Sequence, residues 1–516
     1  MKSKADKIFF NASVITMDPL LPEAGCVVIG GQHIVAVGGN DLRDVYCSDV
    51  TEEIDCGGLT LLPGFNDAHC HLIGMANTML NLDCTPGKVQ CIDDIKKLVL
   101  TASINTRSGE WIIGEGYDEF SLLEKRHPNR WDLDEVSQNH PVKLNHRSRH
   151  ACVLNGRALE LAGINFETPD PPGGLIDREP GTGEPTGLLY EMSHYLKLKG
   201  IPPGKPERLT AGIKLAGKKL LSFGITSIQD ATVSNDMEQW ELFQDIKGRD
   251  VIQSRISLMM GVKALPDLKK LGMEPRHGDD GLRLGAIKVV LDKTTGRLFP
   301  SKEELGEMVT AAHRAGYQVA VHAIEEEDIS AAASVFQDVL NQYPREGHRH
   351  RIEHCSICPD YLIGKLTALG IGVVTNPVFL YCNGDRYLSD VPAEKIPLLY
   401  RFKSINESGI PVAAGSDFPV APSEPVLGIY GAVTRCTKSG RNIFPEECIS
   451  IRDALEMCTT RPAYNSFEEV YKGSLSPGKL GDMVLLSRNP LTTDKEELKD
   501  IKVVRTIIGG KTVWEK

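Results

Sequence analysis

Two histidines two residues apart, His69 and His71, close the run Pro63-Gly64-Phe65-Asn66-Asp67-Ala68-His69-Cys70-His71. In a β-strand residues i and i+2 face the same side, so both imidazoles aim at one point. Two neutral ring nitrogens converging on a point suit a zinc-like ion, which takes histidine at ~2.0–2.1 Å. The spacing alone is weak evidence, because His348 and His350 repeat it elsewhere in the chain. What sets the pair apart is its company. Lys288 lies inside another apolar, β-branched run, and His322, His354 and Asp417 end three more.

Those residues need elements to hold them. Runs at 64–71, 225–230, 255–260, 286–291, 318–322, 351–354, 371–375 and 411–417 read as strands, separated by helical stretches. Eight strand–helix units predict an α/β fold, a TIM (β/α)8 barrel whose active site gathers at the C-terminal ends of the strands. In that arrangement His69, His71, Lys288, His322, His354 and Asp417 share one mouth. Short β-rich runs between 7 and 62 resemble others at 482–486, 503–508 and 511–514, where Gly509-Gly510 marks a hairpin. The expected organisation is a small β-sandwich domain built from both chain ends (1–62 plus 472–516) and a barrel domain (63–76 plus 205–471). A large insertion, 77–204, follows barrel strand one. It is too long for a bare connection, so it should carry its own structure and act as a lid.

Composition narrows the partners. With 516 residues, 41% hydrophobic and 25% charged, the chain reads as an ordinary globular protein. A net charge of −11 argues against nucleic acid, which demands a basic face. No apolar run reaches the length of a membrane span and no apolar signal core opens the chain, so a cytoplasmic protein acting on a small molecule is expected. The pattern leaves room for a homo-oligomer. Thirteen scattered cysteines form no disulfide framework, and Cys355-Ser-Ile-Cys358 lacks a second pair to complete a four-sulfur metal site.

Taken with PGFNDAHCH, the segments WIIGEGYDE (111–119), GITSIQD (224–230), IKVVLD (287–292), RIEHC (351–355), GSDFPV (415–420) and GSLSPGKLGDMVLL (473–486) resemble the amidohydrolase superfamily of metal-dependent hydrolases. The likeness is to amidohydrolase family 3, the branch of the N-substituted formamide deformylases, and it covers nearly the whole chain. It implies that His69, His71, His322, His354 and Asp417 are metal ligands, with Asp417 and His354 catalytic. It implies that Lys288, carboxylated by CO2, bridges two ions. The implied cofactor is a divalent metal, zinc by expectation, at one or two ions per chain. The implied reaction is hydrolysis of an amide, N-formyl or N-acyl amine by metal-activated hydroxide, with Asp417 as general acid and base.

One segment departs from the family. Relatives follow the fifth-strand histidine with Ala-Ile-Gly-Asp-Arg-Ala, whereas this chain has His322-Ala323-Ile324-Glu325-Glu326-Glu327-Asp328. Acidic residues in the first turn of a helix are favoured by its dipole. Equally, His-x-x-Glu resembles mononuclear deaminases of the superfamily, in which Glu325 would shuttle protons to an amino-substituted heterocycle; both readings stay open. His150, Asp292, Arg297, Tyr381 and Arg386 are further candidates for contact with substrate, as is Glu325. Tyr381 and Arg386 are expected in a loop after the seventh strand, and Tyr117, Asp118 and Glu191 along the lid.

Overall fold

The computed structural model describes residues 5–201, 206–293 and 297–516. Eight strands pair in chain order into one sheet: Phe65–Cys70, Ile225–Asp230, Arg255–Gly261, Leu282–Val290, Val319–Ala323, Arg351–His354, Gly372–Thr375 and Val412–Ala414. Every pairing is parallel. The strands are buried along nearly their whole length, because one face fills the barrel and the other meets helices. The helices begin where the sequence supplies caps. Ser301 and Glu304 form a reciprocal capping box before Lys302–Arg314, and Asp236 and Gln239 do the same before Met237–Gly248. The result is a nearly closed (β/α)8 barrel.

Several boundaries differ from expectation, each for a local reason. The second and sixth strands match the expected ranges. The eighth ends at Ala414 rather than 417, because Asp417 adopts φ +56° and a left-handed residue cannot continue a ladder. The first ends at Cys70, and His71 leads into the helix Leu72–Thr78. The segment expected as a loop around Tyr381 and Arg386 is instead the helix Pro377–Asp390, whose first turn takes the proline that most helices exclude.

The chain ends combine as a sandwich. One sheet runs His33–Gly38, Cys26–Gly30, Lys7–Phe10, Glu52–Asp55; the other runs Lys511–Glu515, Val503–Ile508, Met483–Leu486, Thr60–Pro63, Ser13–Ile15, Glu23–Ala24. Phe9, Val27 and Ile29 from the first sheet pack with Leu61, Met483, Leu485 and Ile507 from the second. A buried ion pair, Arg255 Nε to Asp482 Oδ2 at 2.6 Å, ties this layer to the start of the third barrel strand. Between the first and second barrel strands lies a further six-stranded sheet. Its order is Leu175–Arg178, Pro185–Tyr190, Ala151–Leu154, Val142–His146, Ile112–Tyr117, Leu82–Asp83, and it has its own apolar core. The expected boundary at 204–205 lies outside the described residues. Among the described residues, no helix is long and apolar enough to cross a membrane.

Two buried histidines, His313 and His350, brace the helix Lys302–Arg314 against the strand after it, Val319–Ala323. The Val319 N–H donates to His350 Nδ1 at 2.9 Å, so His350 Nε2 carries a proton and donates to His313 Nδ1 at 2.8 Å. His313 Nε2 then donates to the Tyr343 carbonyl at 2.8 Å. Burial pushes His313, His348 and His350 below the usual imidazole value, so all three fold as neutral rings. The unfolded chain therefore binds more protons below about pH 6.5, and stability falls as pH drops through that value, by up to about 1.4 kcal/mol per pH unit for each proton taken up. Urea midpoints at pH 7.5 and pH 5.5 should show this loss. His350→Asn should lower the midpoint at pH 7.5 and flatten the dependence.

Candidate metal centre

The barrel mouth is sewn shut between its first and last strands. The Asp417 N–H donates to the His69 carbonyl at 2.7 Å, and the His71 N–H donates to the Phe418 carbonyl at 3.0 Å. Beneath this seam, the Asp67 carboxylate accepts from the Ser416 N–H at 2.9 Å, the Ser416 hydroxyl at 2.5 Å and the His69 N–H at 3.2 Å. Gly415 makes the approach feasible, since a Cβ there would lie 2.5 Å from the His69 Cβ. The consequence is a cluster. Asp417 Oδ1 lies 3.0 Å from His71 Nε2 and 3.6 Å from His69 Nε2.

Each of three imidazoles is turned by a partner on Nδ1. His69 Nδ1 pairs with Glu353, which is fully buried and whose other oxygen accepts from Arg351 Nε at 2.6 Å. His71 Nδ1 meets the Thr232 hydroxyl at 2.9 Å, and His354 Nδ1 meets Asn376 Oδ1 at 2.7 Å. Such partners fix the ring orientation, and in His69 and His354 they leave Nε2 free to ligate. The rings lie close: His69 to His354 at 4.8 Å and His354 to His322 at 4.5 Å between centroids. Burial pushes His69, His322 and His354 down, so they stand as neutral rings, the form able to ligate a metal. Burial works against an ionised Asp417, but its hydrogen bond to His71 holds it well below the usual carboxylate range. His354 and Asp417 both take positive φ, +72° and +56°, in strand-end positions where ordinary side chains rarely do.

Lys288 completes the group. It is 2% exposed, and its Nζ has no hydrogen-bond partner. Burial, partly offset by Glu353, pushes its amine down to about 8, which makes the neutral form accessible. Four imidazoles, a carboxylate and an orphaned buried amine are a nitrogen and oxygen donor set that fits a borderline divalent cation.

Residues 52–514 match the amidohydrolase family. The chain belongs to that family. This makes it a metal-dependent hydrolase acting on carbon–nitrogen bonds. It is 28% identical over 546 aligned positions to the N-substituted formamide deformylase of Arthrobacter pascens, covering 100% of this chain and 99% of that one. Protein LONG AFTER FAR-RED 3 of Arabidopsis thaliana is 29% identical over 543 positions, covering 99% and 92%. Among solved structures, an uncharacterized metal-dependent hydrolase from Pyrococcus horikoshii superposes with a TM-score of 0.76 at 22% identity, covering 95% of this chain and 99% of that one.

The remaining candidates of this amidohydrolase divide. His150 and Asp292 come together, His150 Nδ1 lying 3.5 Å from Asp292 Oδ2 and 2.5 Å from Glu191 Oε1. The His150 ring is 6.0 Å from that of His322. Glu325 is exposed at the start of the helix Glu326–Gln342, and Arg297 is exposed as well. Tyr381 packs edge-on against Tyr430, with centroids 5.6 Å apart. Arg386 is engaged with Glu119 at 3.0 Å, Asp118 at 3.4 Å and Asp390 at 3.1 Å. The insertion meets the barrel at several points: Asp118 and Glu119 pair with Arg386, Arg147 reaches Asn383 and the Val420 carbonyl, Arg149 reaches the Gly74 carbonyl, and His150 reaches Asp292.

Sequence reasoning passed over Glu353, Arg351, Asn376, Thr232 and Asp67. The signal for the first two was present, since both belong to the RIEHC run, which was read only for its histidine. Glu353→Gln should weaken metal affinity by about 10–100-fold, as loss of a histidine-orienting carboxylate does elsewhere. Competition with a chelator would measure it, and Gly415→Ala should show a comparable loss through displacement of His69.

Proposed function

We propose that this chain hydrolyses the C–N bond of an N-formyl or N-acyl amine, releasing a carboxylate and an amine. The observation that carries the reading is Asp417, ionised and hydrogen-bonded at the centre of the histidine cluster, with the orphaned Lys288 amine buried nearby. His69, His71, His322, His354 and Asp417 would hold the metal, and Lys288, carboxylated, would bridge two ions. A bound divalent ion, zinc in this proposal, polarises the substrate carbonyl and lowers the pKa of water toward ~7. The chain's own groups then manage protons. Asp417 accepts one from the attacking water and later delivers it to the departing nitrogen, which would otherwise leave as a poor anion. His354, its Nδ1 held by Asn376 Oδ1, would present Nε2 to the metal and so take part in catalysis through the ion that polarises the carbonyl.

Deamination through Glu325 would need that side chain inside the site, but it is exposed at the helix start. The likeness to a formamide deformylase supports a formyl or acyl substrate. The insertion 77–204, whose sheet at 82–190 is linked to the mouth through Arg147–His150, would serve as a lid over the barrel mouth. Thirteen unpaired cysteines support a reducing, cytoplasmic setting.

Elemental analysis of protein purified without chelator and supplied with bicarbonate should give about two ions per chain, falling in Lys288→Ala. The same preparation should release formate from N-formyl amines, with Asp417→Asn slower by about 10²-fold or more. One ion per chain in both proteins would remove the bridge. Release of ammonia from amino-substituted heterocycles, without formate release, would overturn the amide reading.

A further inference from the structure

We propose that a cavity in the floor of the barrel, at the strand ends opposite the metal centre, is a binding site for a small organic carboxylate. The cavity has a volume of about 260 Å³. Ser257 and Leu284, near the starts of their strands, line it together with Gln318, which precedes the strand Val319–Ala323. It is slightly smaller than the ~300–1,000 Å³ typical of drug-sized ligands, so it suits a small molecule. Nothing in this site depends on which bond the mouth cleaves.

Its wall is short of negative charge. Arg345 is partly buried there and donates Nη1 to the His313 carbonyl at 2.8 Å and Nη2 to the Tyr317 carbonyl at 2.7 Å. Neither acceptor carries a charge. Burial pushes this guanidinium below its usual value, and no carboxylate works against that. At the rim, exposed Arg276 lies over the Phe467 ring, 5.1 Å from its centroid. Among the described residues, neither Arg276 nor Arg345 has an ion pair. Arg351 in the ceiling differs, because Glu353 accepts from its Nε at 2.6 Å and matches its charge. Glu346 is the one acid among the lining residues, and it is exposed. Two unpaired arginines against one such acid favour a monoanion, and a guanidinium fork fits a carboxylate.

A separate observation comes from the inner wall. Ser257 is 5% exposed and lines the cavity, yet its hydroxyl has no hydrogen-bond partner among the described residues. Gly285 leaves that hydroxyl uncovered, since a Cβ there would lie 2.9 Å from it. A secluded hydroxyl without a partner is costly, and an anion accepts its proton. Met259 and Leu284, both buried, offer the body of a ligand an apolar side. Donors without acceptors beside an apolar wall are what a small organic acid completes.

The test titrates the metal-loaded enzyme calorimetrically with benzoate and with benzamide, near-isosteres that differ by one negative charge. Benzoate should bind at least about tenfold more tightly, and added salt should weaken it. A carboxylate can also reach metal at the mouth, so variants of the floor decide where it sits. Arg345→Gln should weaken benzoate by about tenfold, and Arg276→Gln and Ser257→Ala by about threefold each, with little change for benzamide. Arg276 is exposed and unpaired, so Arg276→Gln decides alone if Arg345→Gln does not fold. No benzoate binding, equal binding of the two compounds, or benzoate binding unmoved by these substitutions would overturn the site. Displacement of benzoate by a lower concentration of inorganic phosphate would also overturn it, by giving the arginines to a dianion.

Discussion

The metal centre depends on the seam between the ends of the first and eighth barrel strands. Asp67 holds Ser416 through both its backbone and its hydroxyl, and the two backbone hydrogen bonds above it bring His69, His71 and Asp417 into one cluster. The Asp67 carboxylate is itself buried, and burial pushes it up to about 6, against the hydrogen bonds it accepts from Ser416. Gly415 leaves just enough room for this contact. A barrel can close in many ways; this closure sets three donor atoms side by side.

Burial then gives those atoms the right protonation states. Imidazoles removed from water stay neutral, which is the form that ligates. A lysine removed from water gives up its proton more readily, and here its nitrogen has no hydrogen-bond partner. Asp417 stays an anion because His71 hydrogen-bonds to it. Cost is visible in the backbone, where His354 and Asp417 hold left-handed conformations that only a well-packed surrounding can enforce. Glu353 and Arg351 supply part of that surrounding from the barrel interior, where both are buried.

The barrel was legible from sequence because its strands are short, doubly buried, β-branched runs between turn signals. The strands Ile225–Asp230 and Arg351–His354 lie where the pattern places them. The eighth strand's end was not legible, since it depends on a close approach of Gly415 to His69 that no local pattern encodes. Likewise, Glu353 meets His69 across a separation of 284 residues. A carboxylate inside a strand reads locally as an anomaly, and only the closed barrel shows its partner. The helix at 377–390 is hard to read from sequence, since Pro377 and Gly384 interrupt its pattern, although proline fits a first turn. The insertion announced itself by length alone; its sheet and its Arg147–His150 contact with the mouth are tertiary facts.

The most direct test of the centre is a crystal structure of protein supplied with zinc and bicarbonate, with anomalous diffraction recorded on both sides of the zinc absorption edge. Anomalous peaks enclosed by His69, His71, His322, His354 and Asp417, with density continuing beyond the Lys288 nitrogen, are the expected result. An absence of peaks there, or a peak instead at the Asp118–Glu119–His146 group, would contradict it.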